Sequence, residues 1–254
     1  MYSNISIEDV PLNRFHRLLT LRSGGGSFVD GYVLSIIGIV MPSLVPAMGL
    51  TSFGESMLAI SALLGIFVGG FFGGNLTDRF GRKVIYFIGP ILFTVCSLLQ
   101  LWVQSETTLF VLRFIIGIGV GIEYPVATAF LVEFLPKKYR GPRLAGLTIC
   151  WFAGAAVAYV AGGAILQLGL ENGWRYALAS TAVISFILFA IRLGTPESPR
   201  WLLSKGRPDE AEFVIKKVFG KKFGLQNLPE QPQALKLSFV DLLRSGYGKR
   251  MFFV

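Results

Sequence analysis

Strongly apolar stretches of about 20 residues with few or no charges recur along the chain, each ended by a short polar break, and about 20 residues is the length at which a helix crosses a hydrocarbon core of about 30 Å. Such stretches fall near residues 24–48, 56–76, 84–104, 108–133, 144–170 and 174–194. The breaks are short, so consecutive spans are expected to run antiparallel as neighbours in one all-α bundle. Past residue 194 the pattern changes. "GTPESPRWLLSKGRPDEAEFVIKKVFGKKF" is turn-rich and then amphipathic, with Ala211, Val214, Ile215, Val218 and Phe219 at helical spacing opposite Lys216, Lys217, Lys221 and Lys222. That predicts short helices lying along the membrane face. The expected organisation is a polar N-terminus (1–22), a six-span bundle (23–194), a linker with short amphipathic helices (195–250), and the opening turn of a seventh span (251–254), which makes the sequence one half of a longer protein.

Composition agrees: 53% of residues are hydrophobic and 15% charged, where a soluble domain carries about a quarter charged. The first span lacks the short apolar core and small-residue cleavage site of a removable signal peptide. Cys96 and Cys150 fall inside spans and read as small apolar side chains. The single His16 precedes the first span, so neither a His-based metal cluster nor a His-containing triad is expected in the membrane, and no cofactor is implied.

The net charge of +9 has a topological explanation. Arg14, Arg17 and Arg22 precede the first span, Arg79, Arg82 and Lys83 follow the second, and Lys137, Lys138, Arg140 and Arg143 follow the fourth. The alternate breaks, "GLTSFGES", "VQSETT" and "LENGWRY", supply only Arg175. The positive-inside bias places the N-terminus and the tail in the cytoplasm of a multi-pass cell-membrane protein. Basic residues so dispersed also argue against nucleic acid as a partner.

The densest knot of charge is "GGNLTDRFGRKV", residues 73–84, between the second and third spans. Asp78 and Arg82 stand at i, i+4 and can pair, Gly81 permits a sharp reversal, and Gly74 is expected to let another helix approach. The spacing of Gly74, Leu76, Asp78, Arg79, Gly81, Arg82 and Lys83 resembles the loop motif of the major facilitator superfamily of secondary transporters. "RFIIGIGVG" (113–121) looks like that superfamily's fourth-span motif, "EFLPKKYRG" (133–141) is similar to the run after that span in sugar porters, and "PESPRWLLSKGR" (196–207) resembles the segment after the sixth span in sugar, organic-ion and vesicle-type transporters. The resemblance implies a twelve-span protein of which this is the N-terminal half, built from two inverted three-helix repeats. It also implies a cytoplasmic gate in which Asp78, Arg79 and Arg82 pair with Glu133, Arg140, Glu197 and Arg200 and latch the two halves.

Charges inside spans are costly and mark cavities or partners. Three stand out: Asp30 in the first span, and Arg113 and Glu123 in the fourth. At about 1.5 Å per residue, Asp30 and Glu123 share a depth roughly 10–15 Å from the cytoplasmic boundary, with Arg113 nearer the outside. Two carboxyls at one depth suit proton or cation binding, with Arg113 either a charge brought nearer when helices rock or a structural partner of backbone carbonyls. "GIEYPVA" is expected to break the span at Pro125 and resembles the G-D-Y-P stretch of phosphate/proton symporters, in which the acid and Tyr line the substrate site; that implies Glu123 and Tyr124 here. "FVDGYVLSIIG" is similar to the D-G-Y/F-D stretch of phosphate and aromatic-acid symporters, with Val33 where their second Asp stands. Tyr32 and Trp151 are further candidates for the pocket, against the alternative of packing. Gly65, Gly69, Gly117, Gly121, Gly154, Ala158 and Gly162 read as small-residue seams between helices.

The expected function is transport of a small polar metabolite (a sugar, organic acid or phosphate-like anion) by alternating access in the lipid bilayer, driven by protons. A non-transporting receptor or vesicle-type binding protein is the alternative. An enzyme is not expected, since the spans hold no nucleophile and base at working spacing.

Overall fold

The computed structural model describes residues 6–229, and among them all regular structure is helical. The long helices are α1 (Arg14–Met48), α2 (Ser52–Phe80), α3 (Arg82–Leu99, continued by one 3-10 turn), α4 (Glu106–Phe134), α5 (Lys137–Gln167) and α6 (Gly173–Arg192). All six are long and apolar enough to cross a membrane. Two short helices follow, α7 (Pro199–Ser204) and α8 (Pro208–Phe219). The expected seventh-span start and the end of the expected linker lie outside the described residues.

Capping chemistry sets the ends. Asn13 accepts from the His16 amide while His16 Nδ1 accepts from the Asn13 amide, a reciprocal cap that starts α1 well before the apolar pattern begins. Thr51, Ser105 and Ser198 cap α2, α4 and α7 in the same one-sided way. The 35-residue α1 is therefore longer than the roughly 20 residues a membrane needs and projects beyond it. Pro125 does not break α4, as its sequence suggested; the helix runs through it, forgoing only the bond that its missing N–H would have given the Gly121 carbonyl.

Helix neighbours follow a repeat. α2 lies along α4 as α1 lies along α5, α3 meets α6, and the α3–α4 contact mirrors α1–α6. Exchanging α1–α3 with α4–α6 converts α2–α4 into α1–α5 and α3–α4 into α1–α6 and leaves α3–α6 as it is, and helices three spans apart point in opposite directions. That is the arrangement of two inverted three-helix repeats. The two longest seams depend on absent side chains: a Cβ on Gly117 would strike the Ala62 carbonyl of α2, and one on Gly154 would strike the Phe28 carbonyl of α1. Gly74 does not serve this purpose, because nothing lies within 4 Å of where its Cβ would be; the close approach is made by Gly73 against Ile122.

One apolar cluster fills the bundle's middle and far end, with Tyr32, Phe93, Ile116, Trp174 and Leu188 among its members. A second fills the end that carries the charges. There Ala211, Val214 and Val218 of α8 join Leu19, Phe130, Phe134 and Trp201. The amphipathic stripe of α8 is thus covered by the bundle itself, in place of the expected membrane surface, because the second cluster offers it an aromatic floor. At this end Glu8 accepts from Lys137 (2.8 Å), Arg140 (2.7 Å) and Arg200 (2.9 Å), tying the N-terminal segment to α5 and α7. Burial works against the Glu8 charge, but the hydrogen bonds from Lys137 and Arg140 outweigh it and hold the carboxyl below its ordinary range.

If the α2–α4 seam sets the bundle, Gly117→Leu will cost the upper end of the about 1–3 kcal/mol of overpacking and abolish the monodisperse peak in detergent size-exclusion. Gly163→Ala, where a Cβ meets nothing within 4 Å, will behave as wild type. Equal behaviour of the two variants would remove the seam from the account.

Candidate functional site

Four helices bring their polar groups to one interior point. Asp30 comes from α1, Tyr86 from α3, Glu123 from α4 and Arg192 from α6, and the three charged side chains are 2%, 1% and 0% exposed respectively. Arg192 Nη2 donates to Glu123 Oε1 at 2.5 Å and Nη1 donates to the Tyr86 carbonyl at 2.6 Å. Its guanidinium lies over the Tyr86 ring, 3.7 Å from the centroid, which places a cation on the electron-rich face. The Tyr86 hydroxyl meets Ser23 Oγ of α1 at 3.3 Å. Asp30 interacts electrostatically with both Glu123 and Arg192.

Local sequence explains why the pair fits. Gly26 on α1 and Gly89 on α3 flank it: a Cβ on Gly26 would strike Arg192 Nη2 and Glu123 Oε1, and one on Gly89 would strike Glu123 Oε2. Beside it, Arg22 donates to the Ile191 carbonyl (2.8 Å), the Leu193 carbonyl (2.8 Å) and Thr195 Oγ1 (3.0 Å), capping the last carbonyls of α6. Asp30 Oδ1, Glu123 Oε2 and Arg192 Nε have no hydrogen-bond partner among the described residues.

Asp30 also lines a groove of about 470 Å³ with Leu34, Gly70, Tyr124, Pro125 and Trp151. The structure therefore brings Asp30, Tyr124 and Trp151 together, with Glu123 adjoining Tyr124 on α4. Tyr32 is elsewhere: it is buried, with its hydroxyl 2.6 Å from Ser180 of α6. Arg113 is also apart from the carboxyls; it is buried and donates to the Val33 carbonyl at 3.0 Å, so its charge is directed at backbone one turn from Asp30.

The charged end divides into two sets. Arg82 pairs with Asp78 at 3.1 Å and Glu133 at 2.9 Å, joining the α2–α3 turn to the end of α4. Glu197 accepts from the Lys83 amide at 3.1 and 3.2 Å, and Gly81, at φ 101°, leaves the space it needs. A carboxylate 114 residues away in sequence thereby caps α3, whose own N-cap glycine has no side chain to do so. Burial pushes the Glu197 carboxyl up, against the amide bonds of Ser198 and Lys83. The second set is Arg140 and Arg200 on Glu8. Arg79 has no ion pair among the described residues and lies over the Phe80 ring.

Sequence reading missed Glu8, Arg22, Tyr86 and Arg192. For Arg192 a signal existed, since it falls inside the 174–194 apolar window, but it stands near the window's end, where a long basic side chain can ordinarily reach water. Glu8 carried no signal, because nothing in its neighbourhood marks which of many basic residues it will meet.

The sugar (and other) transporter family model matches residues 23–243. The chain is 40% identical over 218 residues to the inner membrane metabolite transport protein YgcS of Escherichia coli K12, covering 86% of this chain and 49% of the relative. It is 34% identical over 254 residues to the metabolite transport protein YaaU of the same strain, named there as putative, covering 100% and 56%. Among solved structures, the proton:xylose symporter XylE of E. coli bound to 6-bromo-6-deoxy-D-glucose superposes with a TM-score of 0.77 at 25% identity, over 94% of this chain and 56% of that one. The chain spans about half the length of the relatives it matches. With the six-helix bundle, its inverted neighbours and this match, the chain belongs to the sugar (and other) transporter family of the major facilitator superfamily.

Proposed function

We propose that this chain forms the six-span bundle of a secondary active transporter that moves a small polar metabolite, a sugar, organic acid or phosphate-like anion, by alternating access and draws on the proton gradient. The observation that carries the reading is the buried cluster: two carboxyls and one guanidinium from three helices of a membrane bundle, one carboxyl opening on a groove large enough for a small metabolite. Similarity to XylE, a proton:xylose symporter, supports it. Asp30 or Glu123, or both sharing one proton, carries the coupling ion, while Tyr124 and Trp151 border the path of the substrate. The charged end is cytoplasmic, as the positive-inside bias requires.

The test is proton-driven uptake against counterflow in liposomes containing the full-length protein, over a panel of labelled pentoses, hexoses, small carboxylates and phosphate. Neutralising a coupling carboxyl, by Asp30→Asn or Glu123→Gln, abolishes accumulation against the gradient and spares counterflow, since exchange of bound substrate needs no net proton movement. Undiminished pH-driven accumulation in both variants and in the double variant would overturn the coupling role. Absence of counterflow across the whole panel in wild type would overturn transport.

The Asp78–Arg82–Glu133 chain acts in this reading as a gate at the cytoplasmic end. The Asp78 side chain is 74% exposed and that of Glu133 only 11%, so the first pair contributes the ~0–1 kcal/mol of a surface ion pair and the second more. Asp78→Asn is expected to slow uptake several-fold with thermal stability almost unchanged, and Glu133→Gln to lower both. Wild-type uptake rates in the two variants would remove the gate.

A further inference from the structure

We infer that Arg192 is the positioning residue that assigns the coupling proton: by engaging Glu123 it leaves Asp30 as the one carboxyl of the buried cluster without a counter-charge. The inference rests on the proton-coupled reading and narrows it, since that reading leaves Asp30 and Glu123 equivalent. It follows from counting charges and from how firmly Arg192 is held.

The count covers every helix packed on the cluster. α1 contributes Asp30 and, a little further along, Arg22, whose guanidinium is committed to Ile191, Leu193 and Thr195. α3 contributes the Tyr86 hydroxyl. α4 contributes Glu123, and Arg113 beyond it is committed to the Val33 carbonyl. α6 contributes Arg192. Residues 56–77 of α2 and 144–167 of α5 contain no acidic or basic side chain. Among the described residues, two carboxyls therefore share one available cation, and one negative charge is in excess inside low-dielectric surroundings, where an uncompensated charge is costly. One proton on Asp30 removes the excess; its release restores it, with Glu123 unchanged throughout.

Arg192 cannot easily divide itself between the two carboxyls. One Nη atom is on Glu123, the other on the Tyr86 carbonyl, and the guanidinium plane rests on the Tyr86 ring. Arg22 grips the α6 backbone on both sides of Arg192, at Ile191 and Leu193. Gly26 and Gly89 flank the pair, and a Cβ at either position would force its guanidinium or carboxylate to shift. Glu123 Oε2 and Asp30 Oδ1 alike have no hydrogen-bond partner among the described residues, but Glu123 holds an ion pair through its other oxygen, whereas Asp30 has no ion pair among them and lines the groove.

The experiment is an infrared pH titration of the purified full-length protein, following the carbonyl stretch of protonated buried carboxyls; it needs no substrate. In wild type one such band is expected, absent in Asp30→Asn. Glu123→Gln retains the band but weakens it at a given pH, because the freed Arg192 charge now acts on Asp30. Arg192→Gln adds a second titrating band, Arg192→Lys does not, and Arg192→Gln with Glu123→Gln returns to the single wild-type band. That last rescue separates a charge role from mere loss of packing. A wild-type band that Glu123→Gln removes and Asp30→Asn keeps, or an Arg192→Gln spectrum identical to wild type, would overturn the inference. Uncoupled uptake with this band pattern intact would count against the transport reading and leave the role of Arg192 standing.

Discussion

The Glu123–Arg192 pair is the constraint around which the rest of the bundle is arranged. Two charges taken out of water are costly, and their attraction offsets that cost only when the geometry is close and the remaining polar atoms are occupied. Here the contact is 2.5 Å, a backbone carbonyl takes the second guanidinium nitrogen and an aromatic face covers the plane, so the condition is met in part: Glu123 Oε2 and Arg192 Nε have no hydrogen-bond partner among the described residues. Each of these demands fixes a helix: α4 must present Glu123, α6 must end where Arg192 reaches it, α3 must offer both the ring and the carbonyl of Tyr86. α1 and α3 must also withhold side chains at Gly26 and Gly89. Close contacts on every side leave the pair little room if these helices are displaced.

The bundle is built to hold such a point rigidly at its centre while remaining adjustable at its charged end. Backbone-on-backbone seams between α2 and α4 and between α1 and α5 have no side-chain cushion to deform. In the Asp78–Arg82 pair, by contrast, the carboxylate is 74% exposed although the guanidinium is only 17% exposed; water stands ready to replace the arginine at Asp78, and breaking this contact changes the free energy little. Interior pairs specify where helices sit, and rim pairs can be exchanged as they move. The rocking of one repeat against another that transporters of inverted-repeat design use needs both kinds.

How much of this was legible in the sequence depended on whether the signal was local. Six spans, the Asp78–Arg82 pair and the Gly65/Gly117 and Gly154 seams are written in windows of a few residues to about 20, and the structure places them where the pattern says. Starts and stops were less visible: α1 begins at Arg14 because an Asn–His cap overrides a polar stretch that looks non-helical, and α4 continues through Pro125 because its neighbours hold it. The site itself was half legible. Asp30 and Glu123 announced themselves as carboxyls in apolar surroundings, but Arg192 is 69 residues from its partner, and Glu197 caps a helix 114 residues back. Pairings of that kind are products of topology. The covered stripe of α8 shows the same limit, since amphipathicity says that a face will be buried and not whether lipid or protein buries it.

A double-mutant cycle on thermal unfolding of the purified full-length protein tests most directly whether the bundle depends on the buried pair. Breaking such a pair by removing one partner typically costs about 3–5 kcal/mol, because it strands the other charge. Glu123→Gln and Arg192→Gln should each be strongly destabilising, and the double variant should cost no more than either alone, giving a large interaction energy of opposite sign to their sum. Costs that add to within about 0.5 kcal/mol would mean that the two side chains are energetically independent, and would contradict the account.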